Sequence, residues 1–111
     1  MRPETKVCLD DLVRAGRLIQ QALSGVSYDQ FLANWEKQAA VERQFMIVGE
    51  ALVRVRGFEP AIFAKIPDAA QVVGFRSILA HGYDDADPKA IYDFADQPLA
   101  DLLTAIESLL P

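Results

Sequence analysis

The stretch from about residue 35 to 56 constrains this chain more than any other, because its apolar residues recur with helical spacing on two sides at once. Val41, Phe45, Val48, Leu52 and Val55 form one stripe, and Met46, Gly49 and Val53 form a second, narrower one beside it. A long helix with two such stripes sits in the middle of a bundle or shares one side with a partner chain. Everything else in the sequence has to be arranged around it.

The flanking segments supply helices to do so. Cys8, Leu12, Ala15, Ile19 and Ala22 mark one face of a first helix over about 4 to 23, with Gly25 placed as a terminator. Ser27 and Gln30 have the spacing of a capping box ahead of the long run. After it, "GFEP" breaks the helix and "AIFAKIP" holds one short helix. Pro67 and Asp68 open a further one that carries Val72, Phe75 and Leu79 and stops at Gly82. Asp87 and Pro88 read as N-cap and first residue of another helix. Pro98 opens the last, whose inward face is Leu99, Leu102 or Leu103, Ile106 and Leu109 or Leu110. No window alternates with period two, so the expected fold is all-α, an up-and-down bundle of four or five principal helices with short connections.

Length and composition narrow the classes further. At 111 residues and 51% apolar, residues 1–111 form one domain with a modest core. The lone Cys8 has no partner for an internal disulfide and reads as a small core hydrophobe. Arg2, Glu4, Lys6, Asp10 and Asp11 interrupt the first 15 residues, and no stretch has the length of a membrane span, so a cytoplasmic location is expected. The net charge of −5 is uneven: residues 1–56 hold eight Lys/Arg against seven Asp/Glu, whereas 57–111 hold three against nine. Contact with nucleic acid therefore has to be local, through a few arginines in a cleft, because there is no broad basic surface.

The single histidine lies in "GFRSILAHGYDD". At about 100° per residue, Arg76 lies about 65° from the middle of the Val72, Phe75, Leu79 stripe and His81 about 140° from Arg76. On one straight helix the two side chains do not share a face. They converge if the helix ends at His81, or if two chains build the site. Metal-free RNA cleavage needs a general base for the 2′-OH proton and a general acid for the leaving oxygen, and one histidine per chain is one short. A twofold dimer supplies the second, and paired Arg76 guanidiniums stabilise charge on the phosphate. The structural alternative is that His81 is an ordinary helix end, Arg76 pairs with a carboxylate such as Glu50, and Tyr83 packs back on Ile78 as a Schellman contact.

The order arginine, four residues, histidine, any residue, tyrosine, here Arg76, His81 and Tyr83, resembles the signature of the HepT-like toxins, a branch of the HEPN ribonuclease superfamily. "IVGEALVRV" looks like that family's helix with its Gly-Glu-Ala. "KIPDAAQVVGFRSILAHGYDDAD" resembles its segment from the Ile-Pro turn through the motif, and "QPLADLLTAIESLL" is similar to its last helix. The likeness runs along nearly the whole chain in order. It departs at Ser77, where the family often has asparagine. The resemblance implies a HEPN-type bundle and a homodimer. It implies a metal-independent endoribonuclease toxin needing no cofactor, with Arg76 and His81 at the dimer cleft and Ser77 and Glu50 in support. It also implies a minimal nucleotidyltransferase antitoxin that transfers AMP from ATP to Tyr83, placing bulk and negative charge where an RNA phosphate docks. Two other readings stand beside it: a noncatalytic module that binds nucleotide or pairs with the nucleotidyltransferase, and a plain helical interaction protein.

Other polar residues have simpler accounts. Asp84, Asp85 and Asp87 read as a solvated turn and an N-cap before they read as Mg²⁺ ligands. Glu50 has Arg54 one turn on, as in an ordinary i, i+4 pair. Arg43, Arg54 and Arg56 flank an RNA path or are scattered solvated charges. Phe31 and Trp35 are expected as core or dimer anchors before base-stacking platforms. No phosphate-binding glycine loop, zinc ligand set or serine triad is present in the sequence.

Overall fold

A computed structural model describes residues 1–81 and 87–111, and the described residues form helices joined by short turns, with no strand among them. In chain order these are α1 (Pro3–Leu23), α2 (Tyr28–Leu32), α3 (Trp35–Phe58), α4 (Pro60–Phe63), α5 (Ala69–His81), α6 (Pro88–Phe94) and α7 (Gln97–Leu109). The helix α3 is the axis of the bundle. It packs along α1 on one side and α5 on another, and α7 closes over α1.

Local signals set the boundaries. Gly25 takes φ +72° just past α1, a left-handed conformation that glycine adopts without a Cβ penalty. The Ser27 hydroxyl accepts from the Gln30 amide while the Gln30 side chain accepts from the Ser27 amide, which completes the capping box of α2. Asn34 caps α3 by accepting from the Lys37 amide at 3.0 Å, and Asp87 caps α6 by accepting from the Lys89 amide at 3.0 Å. Asp68 holds φ 58°, a position that aspartate tolerates better than most residues, so α5 begins one residue later at Ala69.

The core is the predicted stripe of α3 closed by its neighbours. Val41, Phe45, Val48, Leu52 and Val55 are buried against Leu9, Leu12 and Ile19 of α1 and Leu99, Leu102, Leu103 and Ile106 of α7. Phe45, Phe75 and Phe94 meet edge to face with centroids 5.6–6.1 Å apart, joining α3, α5 and α6. Phe31 is buried with them. Trp35 is not: it is 75% exposed at the start of α3, which corrects the expectation that it anchors the core of this chain. Its position in the first turn of α3, just past the Asn34 cap, carries it off the buried stripe. Cys8 is buried as expected, and burial pushes its thiol pKa up, with nearby Arg54 opposing and Asp11 reinforcing that shift.

Candidate functional site

The motif helix α5 turns Val72 and Leu79 into the core and leaves Arg76 half-buried at its contact with α3. That contact is possible because residue 49 is glycine. A Cβ built on Gly49 would lie 2.3 Å from Arg76 Cβ, 2.9 Å from Arg76 Cγ and 3.2 Å from the Val72 carbonyl oxygen. The two helices therefore touch backbone to side chain where Arg76 leaves α5, and the next residue of α3 is Glu50. Arg76 Nη2 donates to Glu50 Oε2 at 2.8 Å.

This is the pairing that the sequence offered as the alternative for Arg76, and it takes the place of the i, i+4 pair favoured between Glu50 and Arg54. The close approach at Gly49 delivers the Arg76 guanidinium to Glu50 directly, and Arg54 is left on the rim of a neighbouring cavity. With the two side chains 32% and 52% exposed, the pair contributes only about 0.2–1 kcal/mol to stability. Its main effect is to fix where the guanidinium points.

The cavity has a volume of about 290 Å³. Met46, Ile47 and Ala51 of α3 give it an apolar floor; Cys8 and Asp11 wall it from α1, and Arg76 and Ala80 from α5. Arg43, Glu50 and Arg54 complete the lining, so three guanidiniums face two carboxylates in a protein whose net charge is −5. The second apolar stripe on α3 is partly this floor, through Met46.

His81 does not line the cavity. It is the last residue of α5 and exposed, and Ser77 is exposed one residue past Arg76. Within one chain the structure thus brings Arg76 and Glu50 together and leaves His81 apart, as the helical angle between positions 76 and 81 requires. Tyr83, Asp84 and Asp85 lie outside the described residues. Among the described residues no three His, Cys, Asp or Glu side chains come together as a metal site needs. No helix among them is long and apolar enough to cross a membrane.

Sequence reasoning missed Gly49 as the crossing point, although a glycine inside a helix is a standing signal of close approach. It also missed Cys8 and Asp11 as walls, because nothing local ties α1 to the motif.

The described residues form an all-α protein, and Arg76 and His81 lie on α5, an architecture that fits a HEPN-type bundle. The family model for ribonuclease HepT-like proteins matches residues 12–109, and the chain belongs to that family. No solved structure matches the chain.

Proposed function

We propose that this protein is the toxin of a toxin–antitoxin pair, acting in the cytoplasm as a homodimeric endoribonuclease that needs neither metal nor cofactor. The observation that carries the reading is the division of the motif on α5: Arg76 is held by Glu50 over a cleft while His81 stands exposed at the helix end, outside that cleft. One chain offers half of an acid–base pair, and a second copy supplies the other half. In the reaction one His81 takes the proton of the 2′-OH, the 2′ oxygen attacks phosphorus, and the bond from phosphorus to the 5′ oxygen breaks. The other His81, protonated, gives its proton to that leaving oxygen. The products are a 2′,3′-cyclic phosphate and a 5′-hydroxyl. Arg76 stabilises the charge that builds on the phosphate oxygens, Glu50 orients it, and Ser77 borders it on the same helix. Transfer of AMP to Tyr83 by a minimal nucleotidyltransferase antitoxin, with pyrophosphate leaving from ATP, silences the site.

The test is RNA cleavage in EDTA by protein whose intact mass shows it unmodified. Wild type is expected to cut and leave cyclic phosphate ends, and His81→Ala to be inactive with its dimer and melting temperature intact. Equal cutting by both would sink the proposal. Incubation with the cognate antitoxin and ATP should raise the mass of wild type by adenylate units and leave Tyr83→Phe unchanged; a rise in the variant would move the acceptor elsewhere.

A second reading starts from the three guanidiniums that line the cavity. In it the arginine cleft holds a nucleotide phosphate without cutting RNA. Calorimetry with ATP and AMP would then show binding to wild type that is lost in Arg76→Ala, and no heat of binding would remove this reading.

A further inference from the structure

We propose that Arg43 and Arg54 form, with Arg76 facing them from α5, a track through the cavity between α3 and α5 for successive phosphates of a single RNA strand. The proposal rests on the RNA reading of the cleft and concerns how substrate is held, not how it is cut. Eleven residues separate Arg43 from Arg54, which on an α-helix is an offset of about 20° around the axis and about 16 Å along it. Both side chains therefore leave the same face of α3, and both line the cavity. Arg76 enters at Gly49, about 9 Å along the axis from Arg43 and about 7.5 Å from Arg54. Gly49 lies about 120° around the axis from Arg43 and about 140° from Arg54, so Arg76 comes in from the α5 side and the three guanidiniums meet at the one cavity that all of them line.

Their charges are not spent in the same way. Arg14, Arg17 and Arg76 each have a carboxylate within 4.0 Å, and Arg2 has one as well. Arg56 is stacked over the Phe63 ring at 5.5 Å. Among the described residues Arg43 and Arg54 have no carboxylate within that distance. The two acids that share the cavity are engaged elsewhere, Glu50 by Arg76 and Asp11 by Arg14 at 3.1 Å. The cavity therefore presents net positive charge over an apolar floor in an acidic protein. That combination suits a phosphodiester backbone with its sugars laid against Met46 and Ile47. Guanidiniums suit it better than ammoniums would, because each can grip two phosphate oxygens.

The experiment measures binding of a short, fluorescein-labelled 2′-O-methyl oligoribonucleotide by anisotropy across a salt series. The probe keeps every phosphate and offers no 2′-hydroxyl for attack, so binding is read apart from cleavage. Wild type, Arg43→Gln, Arg54→Gln and Arg56→Gln are compared as full-length protein with matching melting temperatures. Loss of one phosphate contact on a single strand lowers the slope of log K against log salt by about 0.7. That loss is expected for Arg43→Gln and for Arg54→Gln, and the wild-type slope for Arg56→Gln. Unchanged slopes in the first two variants, or no binding by wild type, overturn the proposal. Histidine-dependent cleavage of natural RNA alongside unchanged slopes leaves the ribonuclease and removes the track. Lost slopes without any cleavage leave the track and remove the ribonuclease.

Discussion

Replacing Gly49 with alanine tests whether the crossing of α3 and α5 positions the arginine. The added methyl would stand 2.3 Å from Arg76 Cβ, against the roughly 3.5–4.0 Å of a carbon–carbon contact. The helix α5 must therefore retreat by about 1.2 Å or more at this point. Neither neighbouring atom can swing aside cheaply, since one is a Cβ fixed to backbone and another is the Val72 carbonyl oxygen at 3.2 Å. Overpacking of this kind costs about 1–3 kcal/mol. Alanine in a helix interior returns about 0.5–1 kcal/mol relative to glycine. The net expectation is a loss of about 1 kcal/mol, or roughly 4–8 °C in melting temperature for a domain near this size. If Arg76 acts as proposed, activity should fall further than stability, because displacing a group that must meet the reacting phosphate by about 1 Å costs on the order of 10²-fold in rate. Circular dichroism melts and RNA cleavage rates read the two effects. Gly57→Ala is the control on the same helix: its methyl meets nothing within 4 Å, and it should leave the fold unharmed or raise its stability by up to about 1 kcal/mol. If Gly49→Ala stabilises as Gly57→Ala does and cuts RNA at the wild-type rate, the crossing does not position Arg76.

Three other substitutions give separate outcomes. Glu50→Gln removes the charge that holds Arg76 and should lower kcat roughly tenfold, about 1.4 kcal/mol of barrier, while denaturation shifts by less than about 1 kcal/mol; an unchanged kcat would make the pair purely structural. Burial pushes the Glu42 carboxyl pKa up, so the fold gains stability as pH falls through that raised value and bears the charged carboxylate above it. Glu42→Gln should therefore stabilise at neutral pH, with the gap from wild type closing as pH drops toward the unfolded carboxyl value near 4.3; urea melts showing the same gap at both ends would refute this. The Tyr92 hydroxyl donates to the Val26 carbonyl oxygen at 2.6 Å and ties α6 to the turn after α1. Tyr92→Phe should cost about 0.5–1.5 kcal/mol by chemical denaturation, and no loss would mean that water replaces the bond at no cost.

What the sequence made legible was what neighbouring residues decide. Ser27 with Gln30, and Asp87 with Pro88, set helix starts through contacts three residues apart or fewer, and the structure keeps both. The α3 stripe was readable because helical periodicity alone selects its buried face. Partners distant in sequence could be named only as alternatives, as Glu50 was for Arg76. Glu50 has Arg54 four residues on, yet its hydrogen bond goes to Arg76, 26 residues away, because a missing side chain at Gly49 lets α5 come close. The arginines of the cleft were visible one by one, whereas Cys8 and Asp11 joined the cavity only once α1 lay beside α3. Trp35 shows the limit of reading hydrophobicity as burial: a large apolar ring in the first turn of a helix can point away from the stripe that follows it.

The placement of Trp35 gives the protein an optical handle. It is the only tryptophan, and its indole is already in water in the single folded chain. Its emission should change little as an isolated chain unfolds, so fluorescence is a poor gauge of stability here and circular dichroism a good one. The same insensitivity makes it a clean gauge of association. A blue shift as the concentration is raised, or on mixing with another protein, reports something covering the start of α3.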